Sequence, residues 1–206
     1  MRHVMRIKLI AALVLLVPAT AAAQRTGDKW FGMTWSMSTA TGNSQQFASG
    51  YSFRGLGMEW RQFKGPSTSV GLSLAWNLMN EEFLGTSSIR QVDVTGLQFR
   101  YINAYSILLA AHKYLGTNQG NARPFIGIKT GAYYINRRVD VGIWTASDNT
   151  WHYGLAPEFG IAMPLRHTVD GEAFYAAVRY NYAFASGGTP YQSWVGIDVG
   201  IATRRF

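Results

Sequence analysis

Val70-Gly71-Leu72-Ser73-Leu74-Ala75-Trp76-Asn77-Leu78 alternates a large apolar side chain with a small or polar one at every step. Side chains of an extended chain point to opposite faces in turn, so this stretch predicts a strand with one bulky apolar face and one face of Gly, Ser, Ala and Asn. The same period recurs on both sides of it. Upstream, residues 29–38 set Phe31, Met33, Trp35 and Met37 against Gly32, Thr34 and Ser36, and residues 52–63 set Leu56, Met58 and Trp60 against Gly55, Gly57, Glu59 and Arg61. Downstream, similar strands are predicted over 95–115, 124–136, 151–163, 173–184 and 194–206, eight in all. The 95–115 segment exceeds one membrane crossing. Two strands there would give an odd count, so one is preferred, with a bulge near Asn103 where the alternation blurs and the surplus forming a hairpin beyond the membrane. Pro157, inside the sixth strand, removes one ladder hydrogen bond.

Volume and charge decide which face points inward. An eight-stranded barrel has an interior just wide enough for side chains to fill it. The face of Gly, Ala and Ser with a few long charged groups fits there; the face of Leu, Ile, Val, Met and aromatic rings does not, and must meet lipid. The predicted fold is all-β, an eight-stranded antiparallel transmembrane up-and-down β-barrel. A soluble ligand-binding barrel would need its faces exchanged. Connections support the closure. Short ones (64–67, 116–123, 164–171) alternate with longer ones (39–50, 80–94, 137–150, and 185–192 of intermediate length), as periplasmic turns alternate with extracellular loops.

The amino-terminal residues read as an export signal. Arg2, Arg6 and Lys8 precede a short apolar run ending at Pro18, and Ala21-Ala22-Ala23 stand before Gln24. Cleavage is expected after Ala23, giving a signal peptide over 1–23 and one barrel domain over 24–206. The signal holds three basic and no acidic residues, so its removal takes the net charge from +8 to +5. No dense basic run suggests nucleic acid as a partner. Cysteine is absent, which leaves stability to hydrogen bonding and packing.

Residues Tyr101-Ile102-Asn103-Ala104-Tyr105, Ala122-Arg123-Pro124-Phe125-Ile126-Gly127-Ile128, Trp151-His152-Tyr153-Gly154-Leu155-Ala156-Pro157-Glu158 and Val178-Arg179-Tyr180-Asn181-Tyr182 resemble the small outer-membrane β-barrel domain family, the group around OmpA-type and OmpX-type barrels. The resemblance covers roughly 101–184. It implies residence in the outer membrane, insertion by the outer-membrane assembly machinery and no fixed activity. The family's terminal aromatic is matched by Phe206, the expected assembly signal, whereas Arg204 replaces the second aromatic two residues earlier.

Candidate functional residues follow from face. Glu59, Arg61, Arg100, Lys129, Glu158, Arg179 and Asp198 share the inward parity and predict a lumen charge network. It could be a plug of paired charges or, alternatively, a narrow path for small solutes. Tyr134, Trp151, Tyr153 and Trp194, with Tyr101 and Tyr105, read as aromatics at the membrane interface. Arg137 and Arg138 at the outer rim are candidates for lipopolysaccharide phosphates. No histidine has a metal-ligand spacing, and His112, His152 and His167 read as ordinary side chains. No His lies two residues from a Ser, so no local nucleophile–base pair supports a lipid A-modifying enzyme. Neither metal nor cofactor is expected. The sequence points to a monomer with a structural, envelope-integrity or surface-interaction role, contacting outer-membrane lipid and lipopolysaccharide, with a surface ligand held by the long loops.

Overall fold

The structure, a computed structural model, describes residues 27–89, 92–115, 122–165 and 171–205. Residues 1–23, expected to be an export signal, lie outside them, as do His167 and Phe206. Strand β1 (Lys29–Thr41) is followed by a one-turn helix α1 (Gly42–Gln45), a two-residue strand β2 (Tyr51–Ser52) and β3 (Gly55–Gly65). Six long strands follow: β4 (Thr68–Ile89), β5 (Val92–Tyr114), β6 (Arg123–Val141), β7 (Trp144–Pro164), β8 (Glu172–Ala183) and β9 (Gln192–Arg205). Each pairs antiparallel with its neighbour in sequence, and β1 pairs with β9 from Lys29↔Arg205 to Thr41↔Ser193. Apart from β2, a short addition to β1, the described strands form a ring of eight. Closure removes the sheet edges that an open sheet would leave unpaired.

Parity sets the two faces as the residue volumes require. Phe31, Met33, Trp35, Leu56, Leu74, Ile107, Ile128, Phe159, Val178 and Ile201 are exposed on the outer wall. Ser36, Arg61, Ser73, Lys129, Glu158, Arg179 and Asp198 are buried within. A wall of this composition buries its apolar surface only if a hydrocarbon phase surrounds it.

Several local expectations are corrected. The β4–β5 ladder runs without a register shift from Thr68↔Lys113 to Ile89↔Val92, so there is no bulge at Asn103. The blurred alternation there comes from Ile102 and Ala104 filling the lumen at a level where its lining is apolar. The expected second strand is interrupted at Phe53-Arg54 and continues to Gly65. The stretches expected as loops, 80–94 and 137–150, are mostly paired strand. The β6–β7 hairpin closes on a two-residue turn whose Gly142 has φ +57, a conformation only glycine adopts freely. At Pro157 the β7–β8 ladder lapses between Leu155↔Tyr182 and Glu158↔Arg179 and then resumes in register.

Because β3 pairs with β4 only as far as Asn77, and β8 with β7 only as far as Gly154, strands β4–β7 rise beyond the ring as a four-stranded blade. Segment 42–50 does not rise with them. It folds over the barrel mouth: Ser44 accepts the Ser193 backbone N–H at 2.9 Å and donates to Gln192 Oε1 at 2.9 Å, and Ala48 is fully buried.

Candidate functional site

The lumen is filled in layers. At the end where the short turns lie, Trp30, Phe63, Tyr114, Phe125 and Tyr175 form an aromatic floor. Phe125 and Tyr175 stack with centroids 5.4 Å apart, and Tyr114 lies 5.5 Å from Phe125. Arg123 lies against the Tyr114 ring and donates to the Pro66 carbonyl at 2.8 Å.

Above the floor sits a charged layer drawn from five strands. Arg61 on β3 donates from Nε to Glu59 Oε1 at 2.7 Å, and to the hydroxyls of Tyr114 and Tyr175 at 2.8 Å each. Its guanidinium lies 4.7 Å from the centroid of Tyr175 and 4.9 Å from that of Phe125. Lys129 on β6 bridges the two carboxylates, 2.8 Å from Glu59 and 2.9 Å from Glu158. Two acids and two bases thus neutralise each other where an unpaired charge would be costly. A separate pair, Arg179 and Asp198, stands 3.2 Å apart on neighbouring strands, with Ser36 donating to Asp198.

Sequence parity placed six of these residues on one face but missed His112. Its Nε2 lies 2.5 Å from Glu158 Oε1, and its Nδ1 lies 3.3 Å from Ser69 Oγ. A proton on Nε2, donated to Glu158, leaves Nδ1 free to accept from the Ser69 hydroxyl. The signal was the inward parity of His112 with Ala110 and Leu108; its partners are 43 and 46 residues away.

Two chemical roles suggest themselves for this cluster, and its geometry speaks to both. Glu59, His112 and Glu158 have donor atoms within 4.8 Å of one another, as a cation site would. Lys129 and Arg61 already supply the positive charge between them, so a metal would have to displace a buried ammonium. Ser69–His112–Glu158 also has the order of a nucleophile, base and acid. Ser69, however, is 1% exposed, and the aromatic floor separates it from solvent. The void beside Glu59 and Arg61 is about 20 Å³, room for one water rather than a substrate.

The third layer is apolar: Met79, Ile102, Leu108, Ile135 and Trp194 are buried together with Ala104 and Ala156. Trp194 therefore does not join the interface aromatics. It shares the inward parity of Asp198, is 1% exposed and meets Tyr133 edge-on at 5.4 Å. Tyr134, Trp151 and Tyr153 do point outward; Tyr134 packs 5.1 Å from Trp151 and 6.2 Å from Tyr105. His152 is turned inward, where Phe184 O at 2.7 Å and Thr150 Oγ1 at 2.7 Å hold its ring nitrogens.

The mouth is closed by Phe47, which packs on the apolar layer. The Arg137 guanidinium lies 4.1 Å from its ring centroid and that of Arg100 5.8 Å; Arg100 also lies 4.3 Å from Phe83. Arg100 shares the inward face with the charge network but sits in this cap, far from Glu59 and Glu158. Arg137 is directed at Phe47 rather than at surrounding lipid. Arg138, one residue on, faces outward, pairs with Asp140 at 2.8 Å and lies over Tyr101.

No family model and no curated protein sequence matches the chain. Solved structures do resemble it. The attachment invasion locus protein Ail of Yersinia pestis aligns with 10% identity over 87% of this chain and 99% of that one, at a TM-score of 0.50. The outer membrane protein OprG of Pseudomonas aeruginosa aligns with 16% identity over 91% and 98% of the two chains, at a TM-score of 0.46. At 10% identity the likeness to Ail is one of fold, that of a small outer-membrane barrel.

Proposed function

We propose that this chain is an outer-membrane barrel with a permanently filled lumen, exported by a signal over 1–23, whose working part is the four-stranded blade. The observation that carries this is the contrast between a lumen closed at floor, middle and mouth and a blade that presents unpaired backbone. In β7, residues 144–152 have no ladder partner on the β8 side. Exposed strand edges of this kind accept an added strand from another chain. The blade also exposes apolar side chains, with Ile143 in the β6–β7 turn 94% and Leu84 along β4 77% accessible. Such residues beyond the ring serve contact with a partner better than they serve folding.

In this reading Glu59, Arg61, Lys129, Glu158, Arg179 and Asp198 are structural, Arg100 and Arg137 hold the cap, and neither a metal nor an enzymatic reaction is involved. Arg138 is the residue left to contact lipopolysaccharide phosphate at the rim, and Phe206 is the signal to the assembly machinery.

Two measurements test the proposal. Reconstituted in a planar bilayer, the barrel should be electrically silent; long, uniform open events would replace the plug by a solute path. Cells displaying the intact chain should retain immobilised proteins or glycans that are lost when residues 84–97 are excised and the strands rejoined. Equal retention by the two, with both still heat-modifiable on gels, would remove the blade's role.

A further inference from the structure

The outer wall is not uniform around the ring. Across β9, β1, β3, β4 and β5 it carries an apolar groove of about 1200 Å³, bounded by side chains such as Met33, Trp35, Leu56, Leu74, Ile107 and Ile201. At its turn-side end the groove meets a second pocket of about 360 Å³, lined by Lys29, Trp30, Phe31, Trp60 and Thr203. Phe31 and Thr203 line both, so the two are contiguous.

Cations gather on the rim of these same strands. Lys29, Lys64 and Lys113 are exposed and share the outward parity of the apolar wall. Lys64 donates to Gln62 at 2.8 Å and Lys113 to Ser67 at 2.9 Å, and none of the three forms an ion pair among the described residues. The far wall differs: on β6 and β7 the outward residues at this level are Pro124, Ile126, Ile161 and Met163, while the acidic Glu172 of β8 stands across from Thr203 and bounds the cationic rim on that side. Lysines with apolar stems beside a hydrocarbon wall extend their ammonium groups to the headgroup layer, where each favours an anionic lipid.

We propose that this wall is a binding site for one anionic phospholipid of the periplasmic leaflet, with its phosphate at Lys29 and its acyl chains along the groove. The site rests on the outer-membrane reading of the fold, which places the short turns and Lys29 on the periplasmic side. An acyl chain fills the groove, the pocket at its foot holds the glycerol and phosphate, and Lys29, the one lysine lining that pocket, supplies the charge at the phosphate. A zwitterionic lipid would fit the groove equally well but would bring its own cation to a rim that already has several.

The processed full-length barrel, assembled in nanodiscs of phosphatidylethanolamine with phosphatidylglycerol, would be released and its retained lipids counted by native mass spectrometry. One phosphatidylglycerol should be retained in preference to the bulk lipid. Lys29→Gln should lower that preference about fivefold, the effect expected for one lysine at an anionic surface. Lys113→Gln, the same charge change outside both pockets, should leave it unaltered. Thr203→Trp keeps the wall apolar but fills the junction, and should abolish retention even if Lys29→Gln assembles poorly. Retention in bulk proportion, or equal losses for the two lysine variants, would overturn the site. Preferential retention of lipid A from discs containing it would overturn the leaflet. Heat-modifiable gel migration of the same samples separates these results from failure of the barrel reading: a protein without the shift is not a closed barrel and has no such wall.

Discussion

At the level of Glu59, Lys129 and Glu158 the lumen is filled by charge, whereas at the level of Met79, Leu108 and Ile135 it is filled by hydrocarbon and the Trp194 ring. Both layers fill the lumen, but they tolerate change differently. The charged layer is a closed account in which each ion is neutralised by particular partners on other strands, so removing one member leaves the others buried and uncompensated. The apolar layer is held by contact area, and its members can shift to share a loss. The charged layer therefore ties β3, β5, β6, β7 and β8 in one register, and the apolar layer fills whatever space that register leaves.

Breaking the charged layer should have the largest effect. Glu158→Ala leaves Glu59 alone to balance both Lys129 and Arg61 and takes the carboxylate from His112, and is expected to cost about 4 kcal/mol, read as a lower urea midpoint for unfolding from lipid vesicles. Leu108→Ala, one layer up, should cost about 3 kcal/mol and leave a dry cavity, seen as a smaller shift of the same midpoint. A cost equal to that of Glu158→Ala would erase the distinction between the layers. Phe47→Ala removes the ring between Arg137 and Arg100 and should cost about 1–2 kcal/mol. Its signature is local: amide exchange accelerates in 42–50 while the barrel strands keep their protection. The comparison sharpens at Arg179 and Asp198, where replacing both residues together by Met and Leu should leave stability within about 1 kcal/mol of the native chain, with either single replacement costing more. The smallest effect is expected for Arg138→Gln. Its pair with Asp140 is half exposed and screened, so the unfolding midpoint should barely move, by less than about 0.5 kcal/mol. If that variant also co-purifies with unchanged lipopolysaccharide, the rim contact is gone.

Much of the site was legible because strand parity is strict. Glu59, Arg61, Lys129, Glu158, Arg179 and Asp198 could be set on one face by counting. The same counting also puts Trp194 with Asp198 and Arg137 with Lys129. Both were assigned outward roles by residue type, and parity was the better guide. His112 was on the right face, but nothing local marks it, since its partners Ser69 and Glu158 reach it only through ring closure. Nor did the short polar run Gly42-Asn43-Ser44-Gln45 announce a cap. It becomes one because Ser44 finds Gln192 and Ser193 across the mouth.

What the sequence determined by itself was the class of fold and the sorting of side chains into wall and lumen. Both follow from a period of two and from the limited volume of an eight-stranded ring. What only the tertiary structure decided was height: which inward residues meet at one level, and how far each hairpin climbs beyond the ring. Parity says which way a side chain points but carries no information on the stagger between strands. That stagger is set when β1 closes on β9, and it brings Glu59 to Lys129, leaves Arg100 in the cap and sends β4–β7 out as a blade.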